Sequence, residues 1–286
     1  MGRLKTIIVD QEFSFDEALD CFFQKICDIS YGDSVVFDMG KVKAATVRDI
    51  PVLIIITYFA YEKSIQPVKL CNLTPDVMYY LRQINFWSLP YISRISHKEL
   101  LQPPMKMYDQ IFLPIKEISS FAELSDANME YRDRQSGISS IGYGQKADLL
   151  MLLNTLGENC LEHSSAISNR EGKFYAFIEE DKDRIVMSVL DMGVGFYKNL
   201  SLKYQSVTTD LDAICGVLKE HMTSRENGSG GAGFYTVEGF LEKYKGKIMI
   251  RSGNAVIYYE FGDISKKLET KESVKGSCIL IELEKM

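Results

Sequence analysis

The stretch SVLDMGVGF, residues 188–196, decides how the second half of the chain is interpreted. Its apolar beginning is typical of a buried strand, and Asp191 follows directly, with Gly193 and Gly195 after it. Glycine has no Cβ, so the backbone at these two positions can approach a ligand closely. The pattern therefore indicates a candidate binding site at the end of a strand, although DxGxG alone also occurs in ordinary turns.

Two further segments accompany this strand. Residues 149–164, LLMLLNTLGENCLEHS, have apolar residues at helical spacing, and Asn159 and His163 are four residues apart on one face of the predicted helix. Residues 226–253 begin with a glycine cluster that leads into a second amphipathic helix and then a strand. Each segment alone also fits a structural role, such as a buried amide or a packed histidine. Their order along the chain favours a functional site.

This order resembles the GHKL (Bergerat) ATP-binding fold, which histidine kinases, anti-sigma serine kinases, type II topoisomerases and heat-shock chaperones share. NCLEHS resembles the N box of that family, DMGVG its G1 box, GGAGF its GxGL box, and GSCILIEL its closing glycine and strand. The resemblance covers about residues 105–286. It implies a C-terminal α/β sandwich that binds ATP with Mg²⁺.

The resemblance also implies roles for individual residues. Asp191 would accept a hydrogen bond from the exocyclic amine of adenine, which distinguishes adenine from guanine. Gly193 and Gly195 would let the backbone approach the base and sugar. Asn159 would offer an oxygen to Mg²⁺, which prefers oxygen ligands, and His163 lies on the same face of the helix.

The glycine cluster implies the phosphate end of the site. Gly231 and Gly233 lead into a helix whose free N–H groups and positive dipole end suit phosphates. Residues 228–230 would form a mobile lid. Arg225 precedes the lid and would reach the γ-phosphate, unless it is a solvated surface arginine.

One position departs from the family pattern. Active ATPases and serine kinases of this family carry a carboxylate four residues before the N-box asparagine, as the general base. Here that position is Thr155, whose hydroxyl is a very poor base at neutral pH. Glu158 is a 100° turn away from Asn159, whereas Glu162 is nearer the same face and is a candidate to support Mg²⁺ or to act as a substitute base.

The first hundred residues alternate between strand and helix patterns, which predicts parallel strands with helical crossovers. Ser14 and Glu17 have the spacing of a capping box at the first helix. VVFDMGKVKAATVRDIPVLI, residues 35–54, resembles the STAS domain of anti-sigma-factor antagonists, over about residues 4–95. The family's phosphorylatable turn is replaced here by a stretch with a single hydroxyl, at Thr46, which is interpreted as a helix cap rather than a phosphoacceptor.

Composition limits the remaining possibilities. The 286 residues include 33 Lys and Arg and 39 Asp and Glu, a net charge of −6, so no overall attraction to nucleic acid or anionic membrane is expected. The longest apolar run, residues 52–60, is too short to span a membrane. Six scattered cysteines without a CxxC pair fit a reducing cytoplasm, and most of them are expected in buried positions.

Because Pro103 and Pro104 interrupt the chain, domains are predicted at 1–103 and 104–286.

The function favoured by these patterns is a cytoplasmic signalling protein. Occupancy of the GHKL site by Mg-ATP would control its contacts with protein partners or with a second copy of the chain. The alternatives are an active anti-sigma-type serine kinase or histidine-kinase-like ATPase, and a nucleotide-free scaffold.

The stretch ISHKELLQPP, which contains His97, superficially resembles a phosphoacceptor box. The two prolines that follow make a surface-loop histidine the better interpretation.

Overall fold

The computed structural model describes residues 2–9, 17–93, 111–135, 141–164, 172–180, 183–224 and 232–286. The chain divides into two compact units, residues 1–109 and 110–286. Both units are mixed α/β, the first with a parallel sheet and the second with an antiparallel sheet. The predicted domain boundary at residues 103–104 lies outside the described residues.

The described part of the N-terminal unit contains three parallel strands in the order β1-β2-β3. They are β1 (Leu4–Ile8), β2 (Ser34–Asp38) and β3 (Lys69–Cys71). The helices are α1 (Glu17–Cys27), α2 (Ile50–Ser64) and α3 (Pro75–Gln83), followed by a short 3₁₀ helix, Phe86–Ser88. The predicted alternation of parallel strands and helices is thereby confirmed.

The start of α2 corrects the prediction for Thr46. The helix begins at Ile50, so Asp49, not Thr46, occupies the N-cap position. The Thr46 hydroxyl instead donates to the Asp49 carboxylate at 2.8 Å, within the turn that precedes the helix. Ser14, the cap predicted for the first helix, lies outside the described residues.

The C-terminal unit contains a five-stranded sheet in the order β4-β5-β6-β8-β7, in which every neighbouring pair is antiparallel. The strands are β4 (Ile111–Ile118), β5 (Phe174–Glu180), β6 (Arg184–Asp191), β7 (Lys247–Glu260) and β8 (Asp263–Glu284). The register pairs Asp191 at the end of β6 with Ser277 on β8. Residues that are 86 positions apart in sequence therefore lie side by side.

Within the described residues of this unit, five helices accompany the sheet: α4 (Phe121–Gln135), α5 (Tyr143–Ser164), α6 (Gly195–Leu200), α7 (Asp210–Glu220) and α8 (Ala232–Lys243). Helix and strand side chains meet in one apolar core. Its members on α5 include Leu149, Leu152, Leu153 and Leu156, all at most 1% exposed, and those on β6 are Ile185, Met187 and Val189. Alternate strand residues enter the core because successive side chains point to opposite faces of a sheet.

The helices that matter for the site, α5 and α8, are joined near one end by Asp148. Its carboxylate accepts hydrogen bonds of 2.5 Å from the Lys243 ammonium group and from the Tyr244 hydroxyl. The same carboxylate raises the pKa of Lys243. This junction fixes where α8 lies along α5.

The six cysteines are all free, but the expectation that most of them are buried is wrong. Cys278 is buried, Cys21 and Cys27 are exposed, and the other three are half-buried. Cys21 and Cys27 lie on α1, whose amphipathic pattern leaves one face in solvent.

Among the helices within the described ranges, none has the length and apolar character that crossing a membrane would need.

Candidate functional site

A cleft of about 800 Å³, open to solvent, lies at the end of β6 in the C-terminal unit. It is bounded by α5, by the loop from β6 into α6, by the end of α7, by the start of α8 and by β8. The described residues that line it are Leu156, Asn159, Cys160, Asp191, Val194, Gly195, Phe196, Asn199, Leu200, Val217, Met222, Thr223, Ser224, Gly233, Phe234, Ser277 and Ile279. The structure therefore brings together four residues predicted for the site: Asn159, Asp191, Gly195 and Gly233.

Asp191 is 8% exposed and is held by three hydrogen bonds. Oδ1 accepts from the Gly193 amide at 2.8 Å. Oδ2 accepts from the Ser277 amide at 3.1 Å and from the Ser277 hydroxyl. A carboxylate oxygen has two lone pairs, so Oδ1 can accept a further hydrogen bond from a ligand in the cleft.

Burial raises the pKa of the Asp191 carboxyl, and the hydrogen bonds from Ser277 and Gly193 oppose this rise. A pKa that is higher in the folded chain means that this group favours folding most at acid pH. That contribution is lost as the pH rises through the folded value. At neutral pH the buried carboxylate therefore costs stability, which is typical of a side chain that serves binding or chemistry.

Ser277 is the residue that the sequence did not reveal as part of the site. It faces Asp191 because Gly276, with φ of +80°, turns the backbone of β8 at this point. A Cβ on Gly276 would lie 2.0 Å from the Asp191 carbonyl oxygen, so only glycine fits. The sequence did show a glycine, Gly276, before an apolar strand-like run. It did not show that this segment pairs with β6, where Asp191 lies.

The second glycine of DxGxG is fixed by Ser252 on β7, which the sequence also did not reveal. Gly195 has φ of +78°, and a Cβ there would lie 2.7 Å from Ser252 Oγ. The Phe196 amide donates to the same oxygen at 3.0 Å, and Asn199 Nδ2 donates to the Gly195 carbonyl at 3.2 Å. Contacts with Ser252 and Asn199 thus hold the loop after β6 in the conformation in which it lines the cleft.

Asn159 and Thr155 both face the start of α8, as one helical turn between them predicts. A Cβ on Gly233 would lie 2.7 Å from Asn159 Nδ2 and 3.4 Å from Thr155 Cγ2. The first turn of α8 therefore approaches α5 at the half-buried Asn159, and a glycine at 233 permits that approach. A ligand oxygen bound by Asn159 would also be near the N–H groups at the start of α8.

The other predicted site residues are placed differently or not described. Glu162 is exposed and is not among the described residues that line the cleft, so its role as a base stays a prediction. Arg225, Gly231 and the predicted lid at 228–230 lie outside the described residues, as does His97. The same holds for the side chain of His163.

Metal binding by protein side chains alone has little support in the described part of the chain. Within the ranges that the structure describes, no three His, Cys, Asp or Glu side chains come together as a metal site. A cation at Asn159 would therefore take most of its ligands from water and from phosphate oxygens, as Mg²⁺ does at nucleotide sites. The Asn159 amide oxygen is a type of ligand that Mg²⁺ accepts.

Comparison with known proteins adds no assignment. No protein-family model matches the chain, and no curated protein shows significant sequence similarity to it.

Proposed function

We propose that the C-terminal unit binds ATP with Mg²⁺ in this cleft. The observation that supports the proposal most is the buried Asp191 carboxylate, which faces the cleft with one oxygen held by Ser277 and the other able to accept from a ligand. An adenine ring offers an amine donor beside an apolar surface. Apolar side chains such as Leu156, Phe196 and Ile279 line the same cleft.

Other groups that line the cleft suit the phosphates. Asn159 would provide an amide oxygen for Mg²⁺, and the first turn of α8 at Gly233 would provide the N–H groups and the positive dipole end of a helix N-terminus. Groups that suit an adenine base and groups that suit phosphates thus line the same cleft.

The biological role follows as part of the same proposal. A domain similar to GHKL proteins and one similar to STAS domains on one chain favour a cytoplasmic regulator of the partner-switching type. Nucleotide occupancy would then bias which protein surface is presented to a partner or to a second copy of the chain. Six free cysteines fit a reducing compartment.

We propose binding rather than fast turnover because a base is missing where one is expected. Thr155 is the residue one turn before Asn159, with its methyl group directed at Gly233, and its hydroxyl cannot accept a proton usefully at neutral pH. Glu158 and Glu162 are both exposed. General-base assistance is worth about 10²- to 10⁴-fold, so hydrolysis without it is slow.

Replacing Gly233 by alanine tests the phosphate end of the site. The new methyl group would displace the Asn159 amide, which is the flexible end of a side chain, so the fold tolerates the change. We expect the affinity for Mg-ATP to fall about 10- to 100-fold, as for a displaced metal ligand. Wild-type protein should also show a higher melting temperature with Mg-ATP, and the variant a much smaller rise. Calorimetric titration and thermal unfolding measure both effects.

Gly239→Ala is the matched control, because Gly239 lies on the same helix and no atom lies within 4 Å of the place that its Cβ would take. This variant should bind Mg-ATP like the wild type and gain about 1 kcal/mol from helix propensity. Equal affinities in the Gly233 and Gly239 variants would rule out Asn159 as a contact of the bound nucleotide. A wild-type protein without affinity for ATP would refute the proposed function.

A further inference from the structure

The charge of the cleft presents a problem for a ligand of ATP's chemistry. The described residues that line it include one carboxylate, Asp191, and no lysine, arginine or histidine. A triphosphate carries three to four negative charges, and Mg²⁺ compensates only two of them. Charge-assisted hydrogen bonds from cationic side chains are the usual complement for phosphate oxygens. A described cation that contacts a residue of the cleft lining is therefore of interest.

Lys203 is such a cation, since it contacts a residue that lines the cleft. It follows α6, and its ammonium group donates to the Thr223 carbonyl at 3.0 Å. Thr223 and the next residue, Ser224, line the cleft. The Tyr204 hydroxyl donates to the same carbonyl at 3.2 Å, and the Lys203 ammonium group lies 5.4 Å from the centre of the Tyr204 ring.

The Lys203 side chain is exposed, and these two contacts favour one position for its ammonium group. The Tyr204 ring favours a cation over its face, and the shared bond to Thr223 directs the amine toward the segment that lines the cleft. An ammonium group has three N–H donors, so it can bind the Thr223 carbonyl and an anionic oxygen together. Contacts that favour this position before a ligand arrives would lower the entropy lost on binding.

We propose that Lys203 is a phosphate-binding residue of the nucleotide site. It would neutralise part of the charge on the phosphate chain and make affinity depend on the number of phosphates. This inference rests on the proposed function. It adds the assignment of a cation from the segment after α6.

The test compares ligands that differ only in phosphate number. Calorimetric titrations with adenosine and with Mg-ATP would be run on the full-length wild type, on Lys203→Met and on Lys203→Arg. Lys219→Met is the matched control, since it removes an exposed lysine that pairs with Asp263 away from the cleft. We expect Lys203→Met to weaken Mg-ATP binding about tenfold or more while the affinity for adenosine changes less than about twofold.

Lys203→Arg should keep most of the affinity for Mg-ATP. Lys219→Met should leave the affinities for adenosine and for Mg-ATP unchanged. A fall of the same factor for adenosine and Mg-ATP in Lys203→Met would show a structural role through Thr223 and overturn the proposal. Unchanged Mg-ATP affinity in that variant would also overturn it, while leaving nucleotide binding intact. A wild type that binds neither ligand would instead refute the proposed function, and this inference with it.

Discussion

Replacing Asp191 by asparagine is expected to lower the affinity for ATP by about 100-fold, which is the size of a lost hydrogen bond to a charged acceptor. The amide that replaces the carboxylate has one acceptor and one donor group. The two Ser277 donors point at Oδ2 and the Gly193 amide points at Oδ1, so an amide oxygen that accepts from Ser277 leaves the NH₂ group facing the Gly193 N–H and the cleft. No acceptor then remains for the adenine amine. Calorimetric titration with Mg-ATP measures the loss.

The control for this variant is Asp263→Asn, which removes the same charge at an exposed position at the start of β8. It should bind ATP as the wild type does. Because Asp191→Asn also leaves donors facing one another, its melting temperature must be measured first. A folded Asp191→Asn protein whose ATP affinity is within threefold of the wild type would remove Asp191 from the site.

Gly276→Ala should have the largest effect on stability, lowering the free energy of unfolding by about 3 kcal/mol. Its φ of +80° is unfavourable for alanine, and the added Cβ would lie 2.0 Å from the Asp191 carbonyl oxygen and 2.8 Å from Met192 Cα. These atoms belong to the backbone, so the junction of β6 and β8 must move apart. Urea denaturation followed by circular dichroism measures the effect.

Gly262→Ala separates the two causes of that loss. Gly262 has φ of +81° in the turn between β7 and β8, but no atom lies within 4 Å of the place a Cβ would take. Only the backbone strain remains, so we expect a loss of about 1 kcal/mol. If both alanine variants lose the same amount, the close approach of Gly276 to Asp191 is not what restricts this position.

The sequence predicted the parts of the fold that depend on local patterns. Apolar spacing in α5 identified the buried leucines, and it placed Asn159 and Thr155 on one face, which the contact of both with Gly233 confirms. The run before Asp191 identified β6 and the position of the aspartate at its end. Periodicity and strand ends are local properties, so a single sequence suffices to recognise them.

Residues that act across strands could not be found in the same way. Ser277 and Ser252 reach the loop after β6 only through the register of β8 and β7, and Gly276 is needed because of a distant carbonyl. The bonds from Lys203 and Tyr204 to Thr223 likewise join segments about 20 positions apart without a recognisable motif. Such pairs of residues meet only through tertiary packing and strand register, and neither can be recognised from the composition or residue spacing of a single sequence.

The most direct test of nucleotide binding is a calorimetric titration of the full-length wild type with ATP and with GTP, both in the presence of Mg²⁺. Adenine offers an amine donor to Asp191, whereas guanine offers a carbonyl oxygen at the same ring position, which would face the carboxylate acceptor. We predict that ATP binds at least about tenfold more tightly than GTP. Equal affinities for the two nucleotides, or no binding of ATP, would contradict an adenine site at Asp191.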